Sequence, residues 1–176
     1  PLVFAAYGGM LSERSGIANI GLEAYLLVSA FTAAAVTHLS GSLIIGCTAA
    51  ILVTAGLGAI FAVICIWGRG DQIVVGTALN MLAAGLIPIM TKYLFDVTGS
   101  TPSLPIELRL SHPLMFLVVA VFAMFTLYFM FRQMRHGLRI VAAGHNPLAL
   151  STQGVSFKLL RLRAVVEGAM IASIGG

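Results

Sequence analysis

Between two apolar runs, Leu2 to Leu11 and Ala24 to Leu39, lies the polar stretch Ser12-Glu13-Arg14-Ser15-Gly16-Ile17-Ala18-Asn19-Ile20-Gly21-Leu22-Glu23. Gly16 and Gly21 let the backbone leave the helix, while Asn19 and Glu23 supply hydrogen-bonding groups. Non-helical backbone at membrane depth persists only where protein or a wet cavity satisfies its N–H and C=O groups, so such a break reads as lining a transport path. The alternative is an interfacial loop, with Glu13 and Arg14 solvated and Glu23 set as an anion against a helix N-terminus. Thr77 and Asn80 interrupt a second apolar run, Ile73 to Leu94. A buried amide there needs partners, either across a helix interface or along a wet pathway. Pro88, farther along the run, frees a carbonyl and predicts a kink. The third stretch, Gly137 to Arg163, is too polar to span a membrane. Asn146-Pro147 should cap and open a short helix through Leu148, Ala149 and Leu150, ended by Gly154. That helix is either a docking surface on the cytoplasmic face or an amphipathic element lying on lipid head groups.

The composition says what must position these groups. Of the 176 residues 59% are apolar and 9% charged, and the mean hydropathy is +1.02. A domain covering itself in water carries about 25% charged side chains, so this is a lipid-bilayer chain. The net charge of +4 reads as membrane topology and not as a nucleic-acid footprint. Three stretches are long and apolar enough to span, at about 41–67, 73–94 and 113–131, and a broken helix is expected over about 2–39. A cytoplasmic segment follows over about 132–163, all within one all-α transmembrane domain, 1–176. Arg132 to Arg163 holds six Lys or Arg and no acidic residue, whereas Phe95 to His112 holds one, Arg109, against Asp96 and Glu107. The first region is therefore cytoplasmic and the second external, which makes Gly68 to Gln72 a cytoplasmic turn and His38 to Ser42 an outer one. Ala55, Gly58, Ala59 and Ala62 share one helix face, where another backbone could approach closely; small residues are also frequent throughout the chain. Starting at Pro1 and stopping at Gly176 inside an apolar segment, the sequence reads as a fragment of a longer protein.

Several chemistries have no support. There is no phosphate-binding G-x-x-x-x-G-K-[ST] loop, so nucleotide hydrolysis by that route is not expected. His38, His112, His136 and His145 lack a second ligand at metal spacing or a nucleophile partner, which leaves neither a metal site nor a catalytic dyad. Cys47 and Cys65 are eighteen residues apart in one helical run, roughly 27 Å, and cannot pair with each other. No cofactor is implied.

Taken together, ERSGIANIGLEAYLLVSAF, DQIVVGTALNMLAAGL and GLRIVAAGHNPLALSTQGVSFKLLRLRAVVEGAMIASIGG resemble, in order and over nearly the whole chain, the permease subunits of bacterial ABC importers for simple sugars and nucleosides, the nucleoside branch above all. The resemblance implies a multi-pass subunit of the bacterial cytoplasmic (inner) membrane that is not itself an enzyme. It also implies three partners: an ABC ATPase subunit with tandem cassettes, a second permease subunit and an extracytoplasmic substrate-binding lipoprotein. Gly137, Gly144, Asn146, Pro147 and Gly154 match the family's ATPase-coupling segment, Asn19, Gly21 and Glu23 its N-terminal motif, and Asn80 its following polar position. Ala24, Val141 and His145 depart from the usual Gly, Arg and acidic or polar residue, which bears on the stiffness of the break and on ATPase docking. The resemblance implies alternating access, with a pathway lined by Asn19, Thr77 and Asn80, whose neutral groups suit an uncharged polyhydroxylated solute. Glu23 either orients a ribose hydroxyl or caps a helix. A passive channel or facilitator is the alternative, and it leaves the cytoplasmic helix unexplained.

Overall fold

The computed structural model of the chain describes residues 1–97, 101 and 113–176, and these are all helix, turn and loop. In chain order the helices are α1 (Leu2–Arg14), α2 (Leu22–Ser40), α3 (Leu43–Ile66), α4 (Gln72–Phe95), α5 (Pro113–Gln133), α6 (Arg135–His145), α7 (Pro147–Thr152) and α8 (Phe157–Ser173). Four are long and apolar enough to cross a membrane: Leu22–Ser40, Leu43–Ile66, Gln72–Phe95 and Phe116–Gln133. The first of these contains the apolar run Ala24 to Leu39. With Leu22 and Ser40 it reaches 19 residues, about 28 Å of helix, close to the hydrocarbon thickness. The expected outer loop from Phe95 to His112 lies largely outside the described residues.

The helix starts and stops follow local chemistry. Asp71 caps α4, its Oδ1 accepting from the backbone N–H of Ile73 (2.9 Å) and Val74 (3.1 Å). At the end of α1, Gly16 adopts a left-handed φ of +88°. Ile17 N donates to Ser12 O (3.2 Å) and Gly16 N to Glu13 O (2.9 Å), the paired bonds of a Schellman stop. α7 ends the same way: Gly154 has φ +73°, and Val155 N bonds Leu150 O at 3.0 Å while Gly154 N bonds Ser151 O at 3.1 Å.

α8 is the central strut. It runs antiparallel to α1, Arg161 lying beside Ser15 at one end, Gly168 against Gly8 in the middle and Gly175 against Pro1 at the other. Gly176 packs on Ser29, so α2 rises away from the break alongside α8 while α1 descends toward it. The two halves of the broken N-terminal helix therefore run in opposite directions. At the Gly8–Gly168 crossing a methyl on either residue would collide with the other's backbone, as expected where small residues let two membrane helices touch. The small face of α3 receives α8 as well, with Gly58 against Ala169. Phe61, Ala62, Ala24, Leu79, Ala83 and Val165 form the largest buried cluster and tie α2, α3, α4 and α8 together.

Candidate functional site

The polar break, residues 15–21, sits beside the turn before α4 and beside the start of α8. It therefore lies at the same end of the bundle as the turn Gly68 to Gln72 and the segment that precedes α8. Several of its backbone groups are satisfied by side chains of α4 and α8, distant in the chain. Ala18 N donates to Gln72 Oε1 (2.7 Å) and Ala24 N to Asn80 Oδ1 (2.9 Å), while Asn80 Nδ2 donates to Ile20 O (3.0 Å). One amide thus stitches the last residue before Gly21 and the first turn of α2 onto α4. Gly21 lies directly over Gly76, where a Cβ on Gly76 would come within 3.0 Å of Gly21 N.

Asn19 works within the break. Buried at 4% exposure, it accepts from Gly21 N at 3.1 Å through Oδ1, an Asx turn. Its Nδ2 donates to Tyr25 Oη at 3.4 Å and to Ser12 Oγ at 3.5 Å. Ser12 and Ser15, both fully buried, turn their hydroxyls to Gly8 O (3.2 Å) and Ser12 O (2.6 Å).

The basic segment after α5 closes on the break from the other side. α6 buries Gly137, Ile140 and Ala143 on one face and exposes Arg135, Leu138 and Arg139 on another. Gly137 is pressed against the backbone of Met130 and Phe131, which lets the start of α6 pack closely on the end of α5. Gly144 touches the backbone of Arg14 and Gly16, leaving no room for a side chain. Asn146 Oδ1 caps α7 by accepting from Ala149 N (3.2 Å), and Pro147 occupies the first helical position. α7 is anchored by buried Leu150 against Ala143 and Leu160, and it presents Leu148, 76% exposed, to the outside.

Arg161 lies between these parts. Its Nε donates to Ser15 O and its Nη2 to Ala143 O, both at 3.0 Å, and the guanidinium lies 5.4 Å from the ring centroid of Phe157. Partial burial pulls its pKa below the ordinary guanidinium value, yet a guanidinium so placed keeps its charge.

Of the residues expected to act together, Asn19, Gly21, Asn80 and Gly144 meet at the break. Asn146, Pro147 and Gly154 shape α7 at its edge, and Gly137 sits at the far end of α6. Glu23 is exposed in the first turn of α2. Thr77 is also exposed, and its hydroxyl returns to its own helix at Ile73 O (2.9 Å) and Val74 O (3.0 Å). Sequence reasoning missed Gln72, Tyr25 and Arg161. A glutamine at the start of an apolar helix and a tyrosine inside one carry no spacing signal, and Arg161 was read only as one of six basic residues. Among the described residues no group of three His, Cys, Asp or Glu could hold a metal ion.

The fold and this site define a polytopic helical membrane protein with a polar joint at one face. The chain belongs to the family described as branched-chain amino acid transport system, permease component, which it matches over residues 1–176. It is similar to the guanosine ABC transporter permease protein NupQ of Bacillus subtilis, 30% identical over 200 residues, covering 100% of this chain and 62% of the relative. The nucleoside ABC transporter permease protein NupC of Lactococcus lactis subsp. cremoris is 30% identical over 212 residues, with 100% and 62% covered. The putative glucose ABC transporter permease protein TsgC13 of Haloferax volcanii is 28% identical, with 99% and 57% covered. The chain thus spans about 62% of the length of the first two relatives. No solved structure matches it.

Proposed function

We propose that the chain is part of the membrane-spanning permease subunit of an ATP-driven ABC importer, moving a nucleoside or simple sugar across the bacterial cytoplasmic membrane by alternating access. ATP would be hydrolysed on a separate subunit with tandem cassettes, a second permease would complete the pathway, and an extracytoplasmic lipoprotein would deliver the solute. The family membership supports the class. The observation that carries the mechanism is the backbone contact of Gly144 with Arg14 and Gly16, because it joins the segment bearing α7 to the break that opens α2.

In this reading α7, with Leu148 outward, is the element the ATPase grips. Glu23 and Thr77 face the pathway directly, and Asn19 and Asn80 act on it by holding the break in shape. A cavity of about 340 Å³ farther along α2 and α4 is lined by Leu27, Ala30, Phe31, Ile87, Pro88, Thr91 and Thr101. Its largely apolar walls and two threonine hydroxyls, Thr91 and Thr101, suit the face of a base or sugar ring better than an ion.

The test is affinity capture of the tagged full-length protein from native membranes in mild detergent. Recovery of a tandem-cassette ATPase together with a second permease is the expected result. A homo-oligomer without an ATPase would contradict the reading and favour a passive facilitator.

A further inference from the structure

Arg161 occupies the C-terminal ends of two helices at once. α1 stops at Arg14 with Ser15 as its cap, and α6 stops at His145. The last carbonyls of any helix lack an internal donor and carry its partial negative charge. At Ala143 the lack is built into the sequence: the donor one turn on would be residue 147, which is proline and has no N–H. Arg161 supplies the missing donor through Nη2 while its Nε satisfies Ser15 O. The planar guanidinium offers both in fixed geometry, which a lysine ammonium would not.

Everything that meets at this guanidinium lies on a contiguous route. α7 touches α6 and α8 through Leu150, Ala143 and Leu160. α6 and α8 reach the break through Gly144 and Arg161, and the break reaches α4 through Gln72, Gly76 and Asn80. Resting on the importer reading above, we propose that Arg161 is the positioning residue that makes α6 and the break move as one body, so that displacement of α7 by the ATPase is delivered to α2 and α4.

The test uses the full-length protein assembled with its ATPase and second permease in proteoliposomes. Arg161→Met should leave the ATPase bound and hydrolysing, and should lower solute moved per ATP by roughly 2- to 30-fold. Arg161→Lys, which keeps the charge and loses the fork, should recover part of the loss. A wild-type ratio in Arg161→Met would overturn the proposal. Failure of the wild-type protein to bind any ATPase would instead overturn the importer reading beneath it. Should Arg161→Met not assemble, spin labels on Ala18→Cys in the break and Leu138→Cys on the exposed face of α6 in a cysteine-free background, with Arg161 intact, give a second readout. Their separation should stay constant between nucleotide-free and ATP-trapped states, and a change beyond the roughly 1–2 Å of interface slippage would overturn the proposal.

Discussion

At the scale of single residues, amides partnered across the fold matter more than visible charges. Asn80 joins Ile20 O and Ala24 N to α4 through two hydrogen bonds, each worth about 0.5–1.5 kcal/mol. Asn80→Ala is expected to destabilise the protein by about 1–3 kcal/mol, read as a lowered midpoint of thermal unfolding in detergent. The His136–Glu167 pair, at 3.0 Å with both side chains more than a third exposed, is screened, and Glu167→Gln should cost no more than about 1 kcal/mol in the same assay. If Asn80→Ala proved as mild as Glu167→Gln, the break would not depend on α4. Asn19 and Asn80 were legible in the sequence as polar residues needing partners, but the partners were not, because they lie 56 to 60 positions away for Asn80. Nothing in the spacing of Arg161 distinguished it from the other basic residues of its segment.

At the scale of elements, glycine acts through where it sits more than through how often it occurs. Gly168 and Gly8 let α8 and α1 meet backbone to backbone, whereas Gly56 on α3 has open space around it. Gly168→Ala should therefore cost about 1–3 kcal/mol through forced separation of the two helices, while Gly56→Ala should be neutral or stabilising by up to about 1 kcal/mol. Unfolding midpoints of the two variants in one detergent decide this, and equal effects would contradict the crossing described for α1 and α8. Asn146→Ala should loosen α7 by about 1 kcal/mol through loss of its cap, seen as faster amide exchange at Leu148 and Ala149. The helix stops at Gly16 and Gly154 could be read from sequence because a left-handed glycine followed by an apolar residue is a local device. α6 was less legible. Gly137 looks like a breaker, and only the packing on Met130 shows it to be a contact point inside a helix that begins two residues earlier.

At the scale of the whole molecule, the basic segment and the break fall at one end of the helix bundle. Hydropathy placed spans near 41–67, 73–94 and 113–131, and the helices found there are Leu43–Ile66, Gln72–Phe95 and Pro113–Gln133. What periodicity could not reveal is that ERSGIANIGLE and the segment from Gly137 onward, more than a hundred residues apart in the chain, form one joint through Gly144 and Arg161. The orientation predicts that, with Cys47 and Cys65 replaced, Ser42→Cys reacts with a membrane-impermeant maleimide from the outer face and Ser151→Cys only in inverted vesicles. Labelling of both from the same face would reverse or refute the topology.

The importer reading is tested most directly by reconstituting the full-length protein with its ATPase, second permease and binding lipoprotein, and measuring uptake of radiolabelled nucleosides and sugars with and without internal ATP. The reading requires accumulation above the external concentration that depends on ATP. Equilibration to the external level at the same rate with or without ATP would contradict it and make the protein a facilitator.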